Sequence, residues 1–353
     1  MAARWRYHPD MSFIAILFAL LLEQARPLAR GNLVHAGLRH WAWWSCRNFD
    51  AGRPAHAWAA WLIAVGVPSL VALGGHWLLW HTLGAWAAVF WHIAVLYVTL
   101  GFRQFSHYFT AIRDALESGD EDTARELLAK WRQVDAHELP RSEVVRHVIE
   151  FSVLAAHRHV FGVLAWYTVL SVLGLGPAGA VFYRMAELVP RYWPYKGRRL
   201  SHPVSVVLMD VARRMWFVVD YVPARITALF FAIVGSFEDA IDSWRSHARR
   251  FPDPNDGVIL AATAGALGVR LGGASLQRLV IPADAVHDST AIDGDNLAED
   301  TELYQPDTTD TAGRTPQIAH LRSVVGLVWR TVVLWMLPVS YTHLRAHETK
   351  ANL

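Results

Sequence analysis

Charge and cysteine are both scarce in this sequence. Only 18% of the 353 residues are charged, whereas a soluble domain usually carries about 25%. The single cysteine, Cys46, excludes an intrachain disulfide and a cysteine-based metal cluster. The formal net charge of +2 is too small to indicate a nucleic-acid-binding surface. We therefore expect neither a disulfide-stabilised secreted domain nor a nucleic-acid partner.

Several catalytic motifs are missing as well. The sequence has no GxxxxGK[ST] phosphate loop, no GxGxxG after a strand pattern and no GxSxG elbow. His137-Glu138-Leu139-Pro140 is not a HExxH zinc motif, because the second histidine is absent and Pro140 would break the helix. His157-Arg158-His159 places its imidazoles on different helix faces, and we interpret it as a polar cluster at a membrane edge. No metal site is predicted.

Apolar residues dominate instead. They make up 53% of the chain, the mean hydropathy is +0.20, and the 17 tryptophans are typical of membrane interfaces. The sequence predicts an all-α, polytopic integral membrane protein with about five to seven membrane segments and the lipid bilayer as its partner. The candidate segments are 11–22, 57–80, 83–102, 160–183, 213–235 and 323–339, the fourth broken by Gly and Pro in its second half. The second and third segments are predicted to form a hairpin with its turn at His81-Thr82.

The polar stretches divide the chain further. Residues 11–282 form the predicted membrane domain, with 23–56 as an interfacial loop and 103–159 as a soluble, helical cytoplasmic insertion. Within this insertion, Gly119 is predicted to end one helix and Asp120 to begin the next. The basic, aromatic stretch 184–200 is interpreted as an interfacial loop or as a contact for an anion. An acidic disordered linker, 283–320, precedes a C-terminal membrane helix, 321–339. Residues 340–353 resemble translated adaptor sequence and are predicted to be a non-native tail. The membrane orientation stays open, because the basic loops do not all fall on one side.

Ionisable residues within the apolar segments are functional candidates, because an ion in hydrocarbon is costly. Asp220 and Arg225 lie five residues apart with Pro223 between them. They form either an intramembrane site or an ion pair at the membrane surface, where Pro223 would interrupt the helix. His76 and His92 are expected to be neutral and bonded to carbonyl groups, rather than to act as ligands or a proton relay.

Three motifs resemble the CobD/CbiB family of cobalamin-biosynthesis membrane proteins. The first is Asp220-Tyr221-Val222-Pro223-Ala224-Arg225 before an apolar helix. The second is Pro254-Asn255 followed, after nine residues, by Gly265-Ala266-Leu267-Gly268-Val269-Arg270-Leu271-Gly272-Gly273, and the third is Gly179-Ala180-Val181-Phe182-Tyr183-Arg184. The likeness covers the chain from Met11 to Gly273 together with the final helix. It implies an inner-membrane, multi-pass protein.

The resemblance also implies a chemistry. The family's enzymes are adenosylcobinamide-phosphate synthases, which use ATP to join adenosylcobyric acid to aminopropanol phosphate through an amide. That reaction needs carboxylates for a metal–nucleotide complex and a basic surface for phosphates. ATP and Mg²⁺ are thus expected as cofactors only if the synthase activity is retained. A corrinoid or a second membrane protein is the expected partner.

This sequence departs from the family's acidic pattern. The family's Asp-Asp pair is replaced by Trp216-Phe217, which cannot bind a hard cation. A family Glu is replaced by Leu260, and three further motifs have changed. In this sequence the first of these motifs reads Gln133-Val134-Asp135-Ala136. The second consists of Glu150, then Leu154-Ala155, then Arg158-His159, and the third reads Glu187-Leu188-Val189-Pro190.

These replacements lead to two main hypotheses. The first is a divergent family member, similar to the AmpE branch, that is non-catalytic or sensor-like. The second is an active synthase, an ATP-dependent amide-forming ligase. A transporter is a third hypothesis, with less support from the sequence. For the synthase, the candidate catalytic residues are Asp135, Glu150, Glu187 and Asp220, and the candidate cofactor-binding residues are Arg184, Arg225 and Asn255.

Overall fold

The structure is a computed structural model that describes residues 9–26, 28, 32–132, 134–274 and 310–351. Regular structure in these ranges is helical, and a β-bridge joins Val269 to Arg314. Four helical runs are long and apolar enough to cross a membrane, and two shorter apolar helices accompany them. The predicted all-α polytopic membrane fold is therefore confirmed. The four runs are Pro54–Leu83, Arg141–Val172, Val206–Val234 and Ile318–Met336.

The helices are numbered in chain order. They are α1 (Pro9–Ala25), α2 (Leu33–Phe49), α3 (Pro54–Leu83), α4 (Ala85–Thr99), α5 (Phe102–Glu117), α6 (Glu121–Arg132), α7 (Arg141–Ala156), α8 (Gly162–Val172), α9 (Ala178–Arg199), α10 (Val206–Val234), α11 (Phe237–His247), α12 (Pro254–Leu267) and α13 (Ile318–Ala351). A π-helical turn, His157–Phe161, joins α7 to α8, and a short 3₁₀ turn, Ala248–Arg250, follows α11.

The chain divides into two compact units. The first contains residues 1–102, 158–219 and 332–353. Here α3 and α4 form a hairpin that turns at Gly84, whose φ of +85° favours glycine. Helix α9 packs on α3 and α8, and a Cβ on Gly179 would lie 2.0 Å from the carbonyl oxygen of Trp166. Glycine at this position therefore permits the close approach of α8 and α9.

The second unit contains residues 103–157 and 220–331. The small-residue helix α12 packs on α11, and a Cβ on Gly265 would lie 2.2 Å from the backbone oxygen of Asp239. Asp253 caps α12 by accepting hydrogen bonds from the backbone N–H groups of Asn255 and Asp256. Helix α12 also packs on α7. The motif Pro-Asn thus begins a buried helix whose small residues allow close packing.

Two local predictions were confirmed. The Gly- and Pro-rich stretch does interrupt the fourth membrane segment, because α8 ends at Val172 and α9 begins at Ala178. Asp120 does begin a helix, since its Oδ1 accepts a hydrogen bond from the Thr123 backbone N–H at 3.0 Å. Gly119 before it has a φ of +83°. Capping chemistry of this kind is local, so it can be recognised in the sequence.

Three local predictions were wrong. Residues 184–199 are not a loop but the greater part of α9, which continues through Pro190 and Pro194. The predicted interfacial loop 23–56 contains the helix α2. Helix α10 runs without interruption through Pro223, so this proline does not break the segment. Most of α9 is buried, and this explains how two prolines are tolerated, because tertiary packing can override helix propensity.

The other predicted boundaries are located as follows. The insertion 103–159 holds α5, α6 and α7, and α7 runs on through the π turn into α8 as one of the four spanning runs. Of the predicted linker 283–320, residues 283–309 lie outside the described residues. From residue 310 the chain bonds to the end of the glycine-rich motif: the Thr311 N–H donates to the Leu271 oxygen at 2.8 Å. The helix α13 includes both the predicted membrane helix 321–339 and most of the predicted tail.

Candidate functional site

Asp220 lies in α10 and is fully buried beside a histidine. His157 Nε2 is 2.8 Å from Asp220 Oδ1, and His157 Nδ1 is 2.9 Å from the Thr227 hydroxyl. The predicted pair of Asp220 with Arg225 is therefore wrong. His157 is also fully buried, with an exposure of 0%. The order hydroxyl, imidazole, carboxylate is that of a nucleophilic triad. Because Thr227 is also 0% exposed, no substrate can reach it, and the chain of bonds joins helices instead.

Glu150 lies in α7 and is held by an arginine and a backbone amide. Its Oε1 accepts a hydrogen bond from the Gly272 N–H at 2.7 Å and from Arg146 Nη1 at 3.1 Å. Arg146 Nη2 also donates to Glu143 Oε2 at 2.6 Å and to the Ala274 oxygen at 2.7 Å. This cluster fixes the end of the glycine-rich motif to α7. The carboxylate is thus engaged in structural bonds.

Glu187 lies in α9 between two arginines on the same helix face. Arg184 Nη1 donates to Glu187 Oε2 at 2.9 Å, and Arg191 Nη1 donates to Glu187 Oε1 at 2.5 Å. The Glu187 side chain is 1% exposed. Removal of one partner from such a buried group leaves an uncompensated charge, which is strongly destabilising. The acid therefore compensates the two buried guanidinium groups.

Arg225 and Asn255 are the two cofactor candidates that the fold brings into direct contact. Arg225 Nη1 donates to Asn255 Oδ1 at 2.6 Å and to the Tyr221 oxygen at 2.8 Å. The guanidinium carbon also lies 3.4 Å from the centre of the Tyr221 ring, a favourable cation–π contact. These bonds join the motif in α10 to the start of α12. Within this unit the two motifs therefore have a structural role, because each holds the other in place.

Asp135 differs from the other three acids. It lies on the exposed loop between α6 and α7, and its Oδ1 accepts a hydrogen bond from the His137 N–H at 3.2 Å. Asp135, Glu150 and Asp220 belong to the second unit, whereas Glu187 and Arg184 belong to the first. Within the described ranges, no three His, Cys, Asp or Glu side chains group as ligands for a metal ion.

Trp216 and Phe217 occupy the two positions at which the family pattern has aspartates, and neither supplies an oxygen. Trp216 is 9% exposed, and its ring lies 5.4 Å from that of Tyr183. Phe217 is 37% exposed. Mg²⁺ requires oxygen ligands, which neither ring supplies. The side chains at these positions therefore do not fit a magnesium–nucleotide complex.

A polar chain in the first unit was not predicted in this form. His76 Nδ1 is 3.0 Å from His92 Nε2, and His92 Nδ1 is 2.9 Å from the Tyr167 hydroxyl. The expected bonds to backbone carbonyls are thus replaced by side-chain bonds among α3, α4 and α8. The two histidines were visible in the sequence, but nothing in it indicated Tyr167, which is 75 residues from His92 along the chain.

Cys46 is buried in α2 at 3% exposure. Burial, and next the negative charge of Asp50, raises the pKa of its thiol to about 12. A thiol with so high a pKa is a poor nucleophile at neutral pH. Cys46 is therefore a packing residue.

Comparison with known proteins gives one family. The family model described as CobD/Cbib protein matches residues 13–295. The chain is 31% identical over 336 residues to the cobalamin biosynthesis protein CobD of Stutzerimonas stutzeri, covering 92% of this chain and 96% of that protein. It is 35% identical over 199 residues to the CobD of Chromobacterium violaceum, covering 54% of this chain and 61% of that protein. No solved structure matches the chain.

Proposed function

Since the chain belongs to the CobD/CbiB family, we propose that it acts in cobalamin biosynthesis as a divergent inner-membrane protein that binds a corrinoid without forming the amide bond. We propose that it is non-catalytic or sensor-like, and that this lack of catalysis is what it shares with the AmpE branch of the same superfamily. The corrinoid enters the proposal through the names of the relatives, which are cobalamin biosynthesis proteins. The membrane location follows from the apolar spans.

One observation carries the non-catalytic part of the proposal. Two of the four acids that remain in or near the family's motifs are held by ion pairs within this chain: Glu150 bonds to Arg146 and Gly272, and Glu187 bonds to Arg184 and Arg191. A carboxylate that binds Mg²⁺ must offer its oxygens to the ion. Trp216, at the position of a family aspartate, offers no oxygen at all. ATP and Mg²⁺ are therefore not part of the proposed function.

A second candidate, an active synthase, is favoured by the extent of the match to the Stutzerimonas protein, which covers 96% of that relative. In this case Asp135 is the best remaining acid, because it is the exposed one among the four candidates. Its replacement by alanine would then abolish activity without loss of the fold.

Growth complementation separates the two candidates. The chain is expressed in a bacterium that lacks its own adenosylcobinamide-phosphate synthase and depends on corrinoid synthesis for growth. We expect no growth, although immunoblotting finds the protein in the inner membrane. Growth that is lost in an Asp135→Ala variant present at the same level would establish the synthase instead.

A further inference from the structure

His76, His92 and Tyr167 are connected by hydrogen bonds in the first unit, and His76 is the member that is accessible to solvent. His92 and Tyr167 are buried, at 4% and 0% exposure, whereas His76 is only partly buried. His76 uses Nδ1 for its bond to His92. Within the part of the chain that the structure describes, Nε2 of His76 makes no hydrogen bond. The outermost imidazole thus has one nitrogen fixed by the protein and one available.

The ring of His76 is also held from a second side. Gly176, with a φ of +57°, lies so close that a Cβ there would be 2.6 Å from His76 Cγ. The ring is therefore positioned by a hydrogen bond and by direct contact with backbone. A histidine that only fills space between helices does not need its ring orientation fixed in both ways.

The bonds can run in a direction that suits a metal ligand. If His76 Nδ1–H donates to His92 Nε2, then His92 Nδ1–H donates to the Tyr167 oxygen. This tautomer leaves a lone pair on His76 Nε2. Histidines that bind metals almost always donate their other ring N–H to a second group, which orients the ring and raises its basicity. His92 and Tyr167 are placed to do this for His76.

His76 lies close to the tip of the hairpin formed by α3 and α4, among tryptophans. It lies seven residues before the end of α3, which is about 10 Å along the helix axis. Trp77 and Trp80 lie beside it on α3, and Trp86, beyond the turn, is 71% exposed. Tryptophans are enriched where a membrane meets water. His76 therefore lies near the end of the hairpin, where an amphipathic ligand can approach from the interface.

We propose that His76 Nε2 is an axial ligand to the cobalt of a corrinoid, with His92 and Tyr167 as positioning residues. This inference rests on the proposed function, which supplies the corrinoid as ligand. A corrinoid without a nucleotide base leaves an axial position of its cobalt open, and a neutral imidazole nitrogen is a common ligand for such metals. The ligand set is one histidine, so no cluster of metal-binding side chains is required.

The test uses the full chain in lipid nanodiscs and cob(II)inamide, a corrinoid that has no nitrogen base of its own. Gel filtration first measures whether the corrinoid stays with the protein. Electron paramagnetic resonance of the bound cobalt(II) then reports its axial ligand. One nitrogen ligand splits each cobalt line in three. We expect this splitting, and we expect it to change to two lines when the protein carries ¹⁵N-histidine, which requires no substitution.

Variants assign the nitrogen. His76→Ala is expected to lose the splitting and regain it with added imidazole, whereas His81→Ala, on the same helix and exposed, is expected to keep it. Tyr167→Phe removes the hydroxyl that contacts His92 and is expected to weaken ligation roughly 10-fold to 100-fold. Corrinoid that is retained without nitrogen splitting, or splitting that is lost in His81→Ala, would overturn the assignment while the proposed function stands. Corrinoid that is not retained would overturn both.

Discussion

Replacement of Glu150 by glutamine tests whether the buried acids are structural. In Glu150→Gln the side chain would keep its shape and could still accept the Gly272 N–H, but the negative charge beside Arg146 would be lost. Breaking a buried ion pair costs about 3–5 kcal/mol. Arg146 keeps Glu143, which lies 2.6 Å from Nη2 and is partly exposed. We therefore expect the lower end of that range, about 3 kcal/mol.

Hydrogen exchange measures this cost locally. The Gly272 amide donates to Glu150 at 2.7 Å, so its exchange reports the opening of the cluster. A loss of about 3 kcal/mol corresponds to roughly 100-fold faster exchange. Mass spectrometry of the peptide that contains residues 268–274 gives this rate in detergent micelles or nanodiscs.

The control is Asp135→Asn, because Asp135 is the exposed member of the same set of acids. It is expected to leave the exchange at Gly272 unchanged. If Glu150→Gln exchanged within about threefold of the wild type, the structural role of Glu150 would be refuted. Exchange this close to the wild-type rate is expected if Glu150 has a catalytic role instead, since removal of a catalytic group commonly leaves stability unchanged or raises it.

Three further predictions follow from the packing and the charges. Cys46, with its pKa raised to about 12, should react with maleimide at pH 7 only after denaturant is added, and rapid labelling of the native protein would contradict its burial. Gly265→Ala would place a Cβ 2.2 Å from a backbone oxygen of α11. It should lower the free energy of unfolding by about 1–3 kcal/mol and lower the midpoint of thermal unfolding. The control is Gly37→Ala in α2, which has open space around it and should not lower the midpoint. The hydrogen bond from the Thr123 N–H holds the pKa of Asp120 below its usual value of 3.8. The cap should therefore stabilise α6 above pH 3.8, and this stabilisation should be lost as the pH falls through the lowered pKa. Protection of the Thr123 amide against hydrogen exchange measures the loss, with an Asp120→Asn variant, which does not titrate, as the control.

The sequence predicts what depends on neighbouring residues. The cap at Asp120, the break after Val172 and the apolar spans all follow from local composition. The turn of the first hairpin was misplaced by two residues, at His81-Thr82 instead of Gly84. That difference is small because either position joins the same two apolar helices.

The hydrogen-bond partners of the buried acids could not be predicted from the sequence. Asp220 and Arg225 are close along the chain, but five residues on an α-helix separate two side chains by about 140°, since each residue turns about 100°. They therefore face different neighbours. Asp220 is bonded to His157, 63 residues away, and Arg225 to Asn255, 30 residues away. Only tertiary packing decides such pairs.

The stretch 184–199 was missed for a related reason. Its prolines and basic residues are typical of a loop, and the helix is stabilised by the burial of one set of side chains, including Trp193, whose Nε1 donates to the Ala42 oxygen at 2.8 Å. The two ion pairs of Glu187 lie on the same helix. Their i,i+3 and i,i+4 spacing was present in the sequence and would have indicated a helix.

The most direct test of the account is a ligation assay with the purified protein. The full chain in nanodiscs is incubated with adenosylcobyric acid, aminopropanol phosphate and MgATP, and mass spectrometry measures the amide product. A known synthase of the family serves as the positive control. We predict that the protein retains the corrinoid and forms no amide above the background without protein. Amide formed with repeated turnover would contradict the central claim that Glu150 and Glu187 stabilise the fold and that the protein does not catalyse ligation.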